Sequence, residues 1–323
     1  MTRALAPALA PALAPALALA LALALAPALA LAQGETIALS NGWSLTSRLR
    51  RLTDVNAVAC SADRAYARGW GGGVAEWDGS AWHELPEIPG YGEGRTYGTH
   101  LEASATGVLV EASGRVASWD GSAWSIATRA SAGRYDPFGG LASVGADVYA
   151  VGRGWIARRD GTDLRTYDAG TWRDLSAVAG TGPGDLWTAG QGGTLMHWDG
   201  RAWTRSASGT DVTLGGLFAV SASEVWAWSA RGATPIVLRW NGREWIAIPP
   251  PLGDELRQVS AQGGRVWAAT SVGVFERADG TWQSALTSYD FGEGDPREIV
   301  GACATRTHLV AGAGLGSVLT RPL

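Results

Sequence analysis

The stretch that decides the fold is residues 175–206, LSAVAGTGPGDLWTAGQGGTLMHWDGRAWTRS. It divides into four short runs rich in β-formers, LSAV, DLWTAG, TLMHW and AWTRS, separated by Gly/Pro, Gly-Gly and Asp-Gly turns. Asp-Gly between two such runs signals a hairpin, because a type I′ turn needs two residues that tolerate positive φ. No window of this stretch or its relatives carries a helical period of three to four. The reading is four antiparallel strands in succession.

Working outward, the same phrase returns along the chain: SNGW at 40, WDGSAW at 77 and again at 119, RDGTDL at 159, WDGRAW at 198, WNGREW at 240 and ADGTW at 278. The turn residues Asn41, Asp78, Asp120, Asp160, Asp199, Asn241 and Asp279 are 37, 42, 40, 39, 42 and 38 residues apart. A period near forty with four strands in each repeat is the pattern of propeller blades. A single blade exposes two apolar faces, so the recurring tryptophans read as packing between neighbours. Trp77, Trp119, Trp198 and Trp240 precede the turn, and Trp82, Trp124, Trp203, Trp245 and Trp282 follow it. Trp187, Trp226 and Trp267 mark the second strand, where Tyr66 and Tyr149 stand in other repeats. A row of sugar-stacking platforms is the competing reading; register in every repeat favours packing.

The ends of the chain predict closure. The last repeat has three strands, IVGA (299–302), THLVAGA (307–313) and GSVLTR (316–321), and no fourth; SNGWSLTS (40–47) reads as a turn and fourth strand without the first three. Joining them hides an edge that would otherwise stay open. First strands near Val55, His100, Leu141, Leu175, Leu217, Leu256 and Ile299 predict an all-β, seven-bladed β-propeller of four-stranded antiparallel blades, the last closed by the N-terminal strand.

The D-G-x-x-W turn with Trp on the following strand resembles the Asp-box, or BNR-type, repeat of secreted propellers. The rhythm of W-x-x-G (as in WTAG, 187–190), G-G and W-D-G-x-x-W is similar to Trp/Gly-rich repeats of the kind common in exported myxobacterial proteins. The resemblance covers the whole chain after the leader. It departs from the usual Asp-box, which has a Ser two residues before the Asp and a residue between Asp and Gly. The resemblance implies a fold and leaves function open, since propellers host many unrelated ones.

Residues 4–32 are almost pure Ala and Leu with interspersed Pro, follow Arg3, and end in Ala30-Leu31-Ala32 before Gln33, the pattern of a cleaved secretory leader. The expectation is a signal peptide over 1–32, then one propeller domain over 33–323, exported to the periplasm, cell surface or medium. No later segment is apolar enough to cross a bilayer. All 26 basic side chains are Arg, which excludes phosphate-loop lysines, Schiff-base lysines and Ser–Lys dyads. A net charge of −4 with scattered arginines predicts no nucleic-acid partner.

Cys60 and Cys303, 243 residues apart, fall near the ends of the first strands of the first and last repeats. In a closed ring these repeats are neighbours, so the pair reads either as a disulfide across the closure or as two small residues near a crowded axis.

Binding is expected on the loops that join one repeat to the next. Enlarged loops at 46–54, 85–100, 127–140 and 284–298 become contiguous in a ring and gather Tyr91, Arg95, Tyr97, Arg134, Tyr135, Asp136, Phe138, Tyr289, Asp290 and Phe291. These are residue types that adaptable recognition loops use. The expected ligand is a protein or a carbohydrate, bound by a monomer without cofactor or metal. Arg95, Arg134, Tyr135 and Asp290 are the side-chain types of a sialidase site, so a carbohydrate-active enzyme is one alternative. A structural envelope or matrix protein is the other. His83, His100, His197 and His308 have no metal-ligand spacing, and Asp290, Glu293, Asp295 and Glu298 lack the EF-hand pattern. His83 and His197 read as solvent-facing.

Overall fold

The computed structural model describes residues 35–39, 41–47, 49–90, 100–104, 106–112, 114–128, 138–253, 255–291 and 297–323. The regular elements among them are β-strands and two 3-10 turns, Gln191–Gly193 and Ser288–Phe291. Residues 55–84, 175–206, 214–248 and 256–287 each fold as a separate four-stranded antiparallel sheet in chain order. The strands from Leu101–Ala103 to Trp124–Thr128 and from Gly140–Val144 to Asp163–Asp168 form one eight-stranded sheet, made of two antiparallel runs of four joined by a single parallel register pair, Thr128 with Asp163.

Residues 175–206 show why the sequence takes this form. Its second strand, Asp185–Gly190, is buried on both faces because a sheet lies against each side, whereas Trp203–Ser206 at the outer edge stays largely accessible. Buried apolar side chains accordingly fall into several clusters rather than one core, and each cluster lies between two consecutive sheet units. Trp187 shows the mode of packing. It is buried in one unit and meets Trp240 and Trp245 of the next, with ring centroids 5.0 and 5.2 Å away. The turn-flanking pairs Trp77–Trp82, Trp119–Trp124, Trp198–Trp203 and Trp240–Trp245 sit directly across their hairpins with tilted rings. Trp124 and Trp282 also tie units together, their indole N–H groups donating to Pro86 and Pro249 carbonyls at the end of the preceding unit.

The Asp-Gly turns differ from the type I′ expectation in most repeats. At 78–81 only Gly79 has positive φ, the loop holds four residues, and the Asp78 carboxylate accepts the N–H groups of Ser80 and Ala81. Asp120, Asp199 and Asn241 do the same. The side chain mimics a backbone turn, which removes the need for a second left-handed residue. Asp279-Gly280 is the two-residue turn with positive φ at both positions.

Closure uses both chain ends. Strand Ser44–Thr46 pairs antiparallel with Ser317–Pro322, matching Leu45 to Leu319, and strand Thr36–Ala38 adds outside it, so the last sheet has five strands where four were expected. Trp43 is fully buried beneath, its indole donating to the Ala285 carbonyl and the Arg321 guanidinium lying 5.2 Å over its ring. The first strand of each unit touches that of the next, and Ile299–Ala304 touches Val55–Cys60, so the innermost strands form a closed ring. At that last contact the structure links Cys60 to Cys303, with Cα atoms 5.6 Å apart.

Candidate functional site

The innermost strands surround an axial cavity of about 750 Å³. Small residues make the room: Gly140, Ala142, Ala177, Ala179, Gly215 and Gly216 are among its walls. Its lining includes Asp54, Trp70, Arg231, Glu298, Gly314 and Leu315 from loops on one face of the ring, so it opens there. That face carries both the loops joining one unit to the next and the loops between second and third strands, because the start of each first strand pairs with the end of the second.

The same face carries an arc of exposed apolar side chains. Leu252, Val272, Tyr289, Leu315 and Trp70 are 76, 36, 87, 54 and 48 % exposed. Short contacts join their loops in that order. The Leu252 carbonyl accepts the Thr270 hydroxyl, and the Val272 carbonyl accepts the Ser288 N–H. Glu298 accepts from Gly314, and Asp54 accepts from both Leu315 and Trp70. Trp172, 78 % exposed, stands further round the same face. Leu315 holds φ of +60°, a conformation that non-glycine residues rarely adopt.

Charge at the mouth is largely internally paired. Arg257, nearly buried, meets Glu255 at 2.8 Å and Glu298 at 3.0 Å, and Arg231 meets Glu255 at 3.2 Å. Deeper in the cavity the wall of strand Leu101–Ala103 differs from the others. Glu102 stands where Ala59, Ala142, Ala179, Phe218, Ser260 and Cys303 stand in the other first strands, each opposite the same position of its second strand. Desolvation pushes its carboxyl up to about 8, because a low-dielectric setting disfavours the charged form, while the residue keeps partial access to solvent. His100, just before this strand, also lines the cavity. Burial lowers its imidazole to about 4, assisted by the nearby Arg68 charge and opposed by its hydrogen bond to the Phe138 backbone. Arg68 is itself buried and donates to the Glu111 carbonyl at 3.0 Å; burial raises the Glu111 carboxyl.

Of the loop residues expected to bind, Tyr91, Arg95, Tyr97, Arg134, Tyr135 and Asp136 lie outside the described residues. The other four are placed separately. Phe138 is buried edge-on against Trp155, and Phe291 is buried with the Arg297 guanidinium 6.0 Å from its ring. Asp290 accepts the Thr287 N–H and hydroxyl, fixing the 3-10 turn. Tyr289 alone of the four presents its ring to solvent. His197 is not simply solvent-facing: it stacks on Trp187 at 4.2 Å and bonds Asp185, while His83 is exposed beside Asp78. Among the described residues no three His, Cys, Asp or Glu side chains gather as a metal site. None of their helices is long and apolar enough to cross a membrane.

No family model matches the chain, and no curated protein matches it. Solved structures do. The chain is similar to YCF48 bound to D1 peptide, at 13 % identity and a TM-score of 0.64, covering 90 % of this chain and 98 % of that one. It is similar to a catalytically inactive virginiamycin B lyase from Staphylococcus aureus with quinupristin, at 12 % identity and a TM-score of 0.67, covering 87 % and 99 %. The WD40 β-propeller domain of Doa1 matches at 10 % identity and a TM-score of 0.65, covering 89 % and 95 %. The chain has a β-propeller fold. At these identities the likeness extends to the fold alone, and the matched proteins include both an enzyme and a peptide complex.

Proposed function

We propose that the chain is an exported seven-bladed β-propeller, a single domain over 33–323, that works as a monomeric scaffold binding another polypeptide on its apolar rim. Seven blades are supported by seven inter-unit apolar clusters and by the cyclic contact of the first strands; the eight-stranded sheet counts as two blades because one register pair joins them. Export is supported by the Ala/Leu leader and its small-x-small end.

The observation that carries the binding reading is the arc Leu252–Val272–Tyr289–Leu315–Trp70. Five large apolar side chains exposed along one face, with Trp70 and Leu315 among them lining the cavity, are the surface that a partner covers. The peptide held by the YCF48 structure supports a polypeptide as ligand class. The test is a displayed peptide library panned against the chain and against Trp70→Ser/Leu315→Ser. The expected result is enrichment that the double variant loses at least tenfold. Equal enrichment on both proteins, or glycan-array binding unaffected by the double variant, would refute the rim.

A second reading, an enzyme working in the cavity on a carbohydrate or other small substrate, draws on His100 and Glu102, two groups of shifted pKa on one cavity wall. Turnover of any glycoside abolished by Glu102→Gln would establish it over the scaffold.

A further inference from the structure

Glu102 is the group that the rim-binding reading leaves unused. The residue lines the axial cavity, and no hydrogen bond or ion pair reaches its side chain among the described residues. The two arginines in the same lining, Arg231 and Arg257, are already held by Glu255 and Glu298. Behind the wall, Arg68 lies with Glu111. His100 is neutral at pH 7 and gives one N–H to the Phe138 carbonyl, which leaves its second nitrogen an acceptor. The wall therefore offers a carboxyl and an imidazole, with no cation of the lining free to meet them among the described residues. Glu102 is half-buried, so its carboxyl remains within reach of a group that enters the cavity. The complementary ligand group is a cation rich in N–H donors.

We propose that the polypeptide docked on the rim inserts a Lys or Arg side chain into the axial cavity, where it pairs with the Glu102 carboxylate. This rests on the rim reading above and names the chemistry that its partner brings. The apolar mouth at Trp70 and Leu315 takes the residues flanking the basic one, and a cavity of about 750 Å³ admits a turn of backbone along with the side chain. As the ammonium or guanidinium arrives, the carboxyl gives its proton to solvent, since an opposite charge within pairing distance favours the ionised form. The occupant is not a lysine of another copy, for this chain contains none.

The test pans one displayed peptide library on three full-length proteins: wild type, Glu102→Gln and Trp70→Ser/Leu315→Ser. All three are first checked by circular dichroism for unchanged strand content. The expected result is that wild type selects Lys or Arg at one fixed position, at least tenfold over its input frequency, between apolar residues. Glu102→Gln keeps the apolar preference and loses the basic one. A synthetic peptide from the selection should lose at least tenfold in affinity when its basic residue becomes norleucine, on wild type but not on Glu102→Gln. Identical selections on wild type and Glu102→Gln would overturn this proposal and leave the rim reading standing. Selection lost by none of the variants overturns both. Argininamide alone binding as tightly as the selected peptide would overturn the polypeptide as the occupant.

Discussion

The carboxylate of Asp54 accepts the backbone N–H of Leu315 at 2.9 Å, across the junction of the first and last units of the ring. The carbonyl of the same residue accepts the N–H of Trp70, also at 2.9 Å. One residue thus sets the height of two rim side chains that come from opposite ends of the chain. Asp54→Ala removes a charge-assisted hydrogen bond of about 1.5–3 kcal/mol. The expected outcome is unchanged strand content by circular dichroism, a modest loss of stability, and weakened retention of rim-selected peptides.

Leu315 separates stability from binding at a single position. Its positive φ costs a non-glycine residue about 1–2 kcal/mol, and its side chain is largely exposed. Leu315→Gly should raise the denaturation midpoint by relieving that conformation while reducing peptide affinity. Parallel denaturant melts and anisotropy titrations read the two effects; a loss in both would show that the leucine is structural.

Tryptophans in the two environments should behave oppositely. Trp187 is buried between units, so Trp187→Ala should cost about 3–5 kcal/mol in denaturant unfolding. Trp172 is 78 % exposed, and Trp172→Ala should change stability by less than about 0.5 kcal/mol.

Cys60 and Cys303 close a loop of 243 residues across the ring junction. Mass spectrometry after alkylation should find no modified cysteine in unreduced protein and two after reduction. Reduction should lower the denaturation midpoint, with about 2–5 kcal/mol at stake in the chain-entropy picture. Two alkylated thiols before reduction would remove the bond from the native state.

Glu102 predicts a pH dependence with a definite sign. Folded, it keeps its proton to about 8; unfolded, it loses it near its ordinary value of 4.5. Between those values the folded state binds more protons, so stability falls as pH rises through the window and levels off above it. His100 acts at the other end, its lowered value costing stability as pH falls from 6.5 toward 4. Glu102→Gln should therefore match wild type near pH 4.5 and exceed it in Tm at pH 9. A constant difference across the range would place the effect elsewhere.

Much of the architecture was legible because it is written repeatedly. Each Asp-Gly or Asn-Gly turn marks a hairpin, and the flanking tryptophans of most repeats announce two buried flanks; the third repeat has Arg159 and Leu164 in their place, and the first strand of the second, near His100, is poorly marked. The turn type was less legible: whether Asp78 takes a left-handed conformation or caps the loop with its carboxylate depends on loop length, which the dipeptide does not encode. The extra strand Thr36–Ala38 carries no turn signature of its own. The rim was harder still. Loop length points to the face that carries the proposed rim, but Phe138 and Phe291 are aromatic for packing, while Trp70, Leu252 and Leu315 sit in short turns that look like punctuation. Glu102 did leave a signal, a lone acid at a position held elsewhere by small or apolar residues, visible only once the first strands are aligned by register.

Strand Ser44–Thr46 is synthesised well before its partner Ser317–Pro322, with the whole of the ring between them. A nascent chain therefore carries an incomplete ring until Ser317–Pro322 has emerged, with the flanks of its first and last sheets bare until then. Such surfaces are where growing chains aggregate or exchange strands with one another. The yield of active protein should thus be set less by the stability of the finished ring than by how quickly its final strand reaches the first.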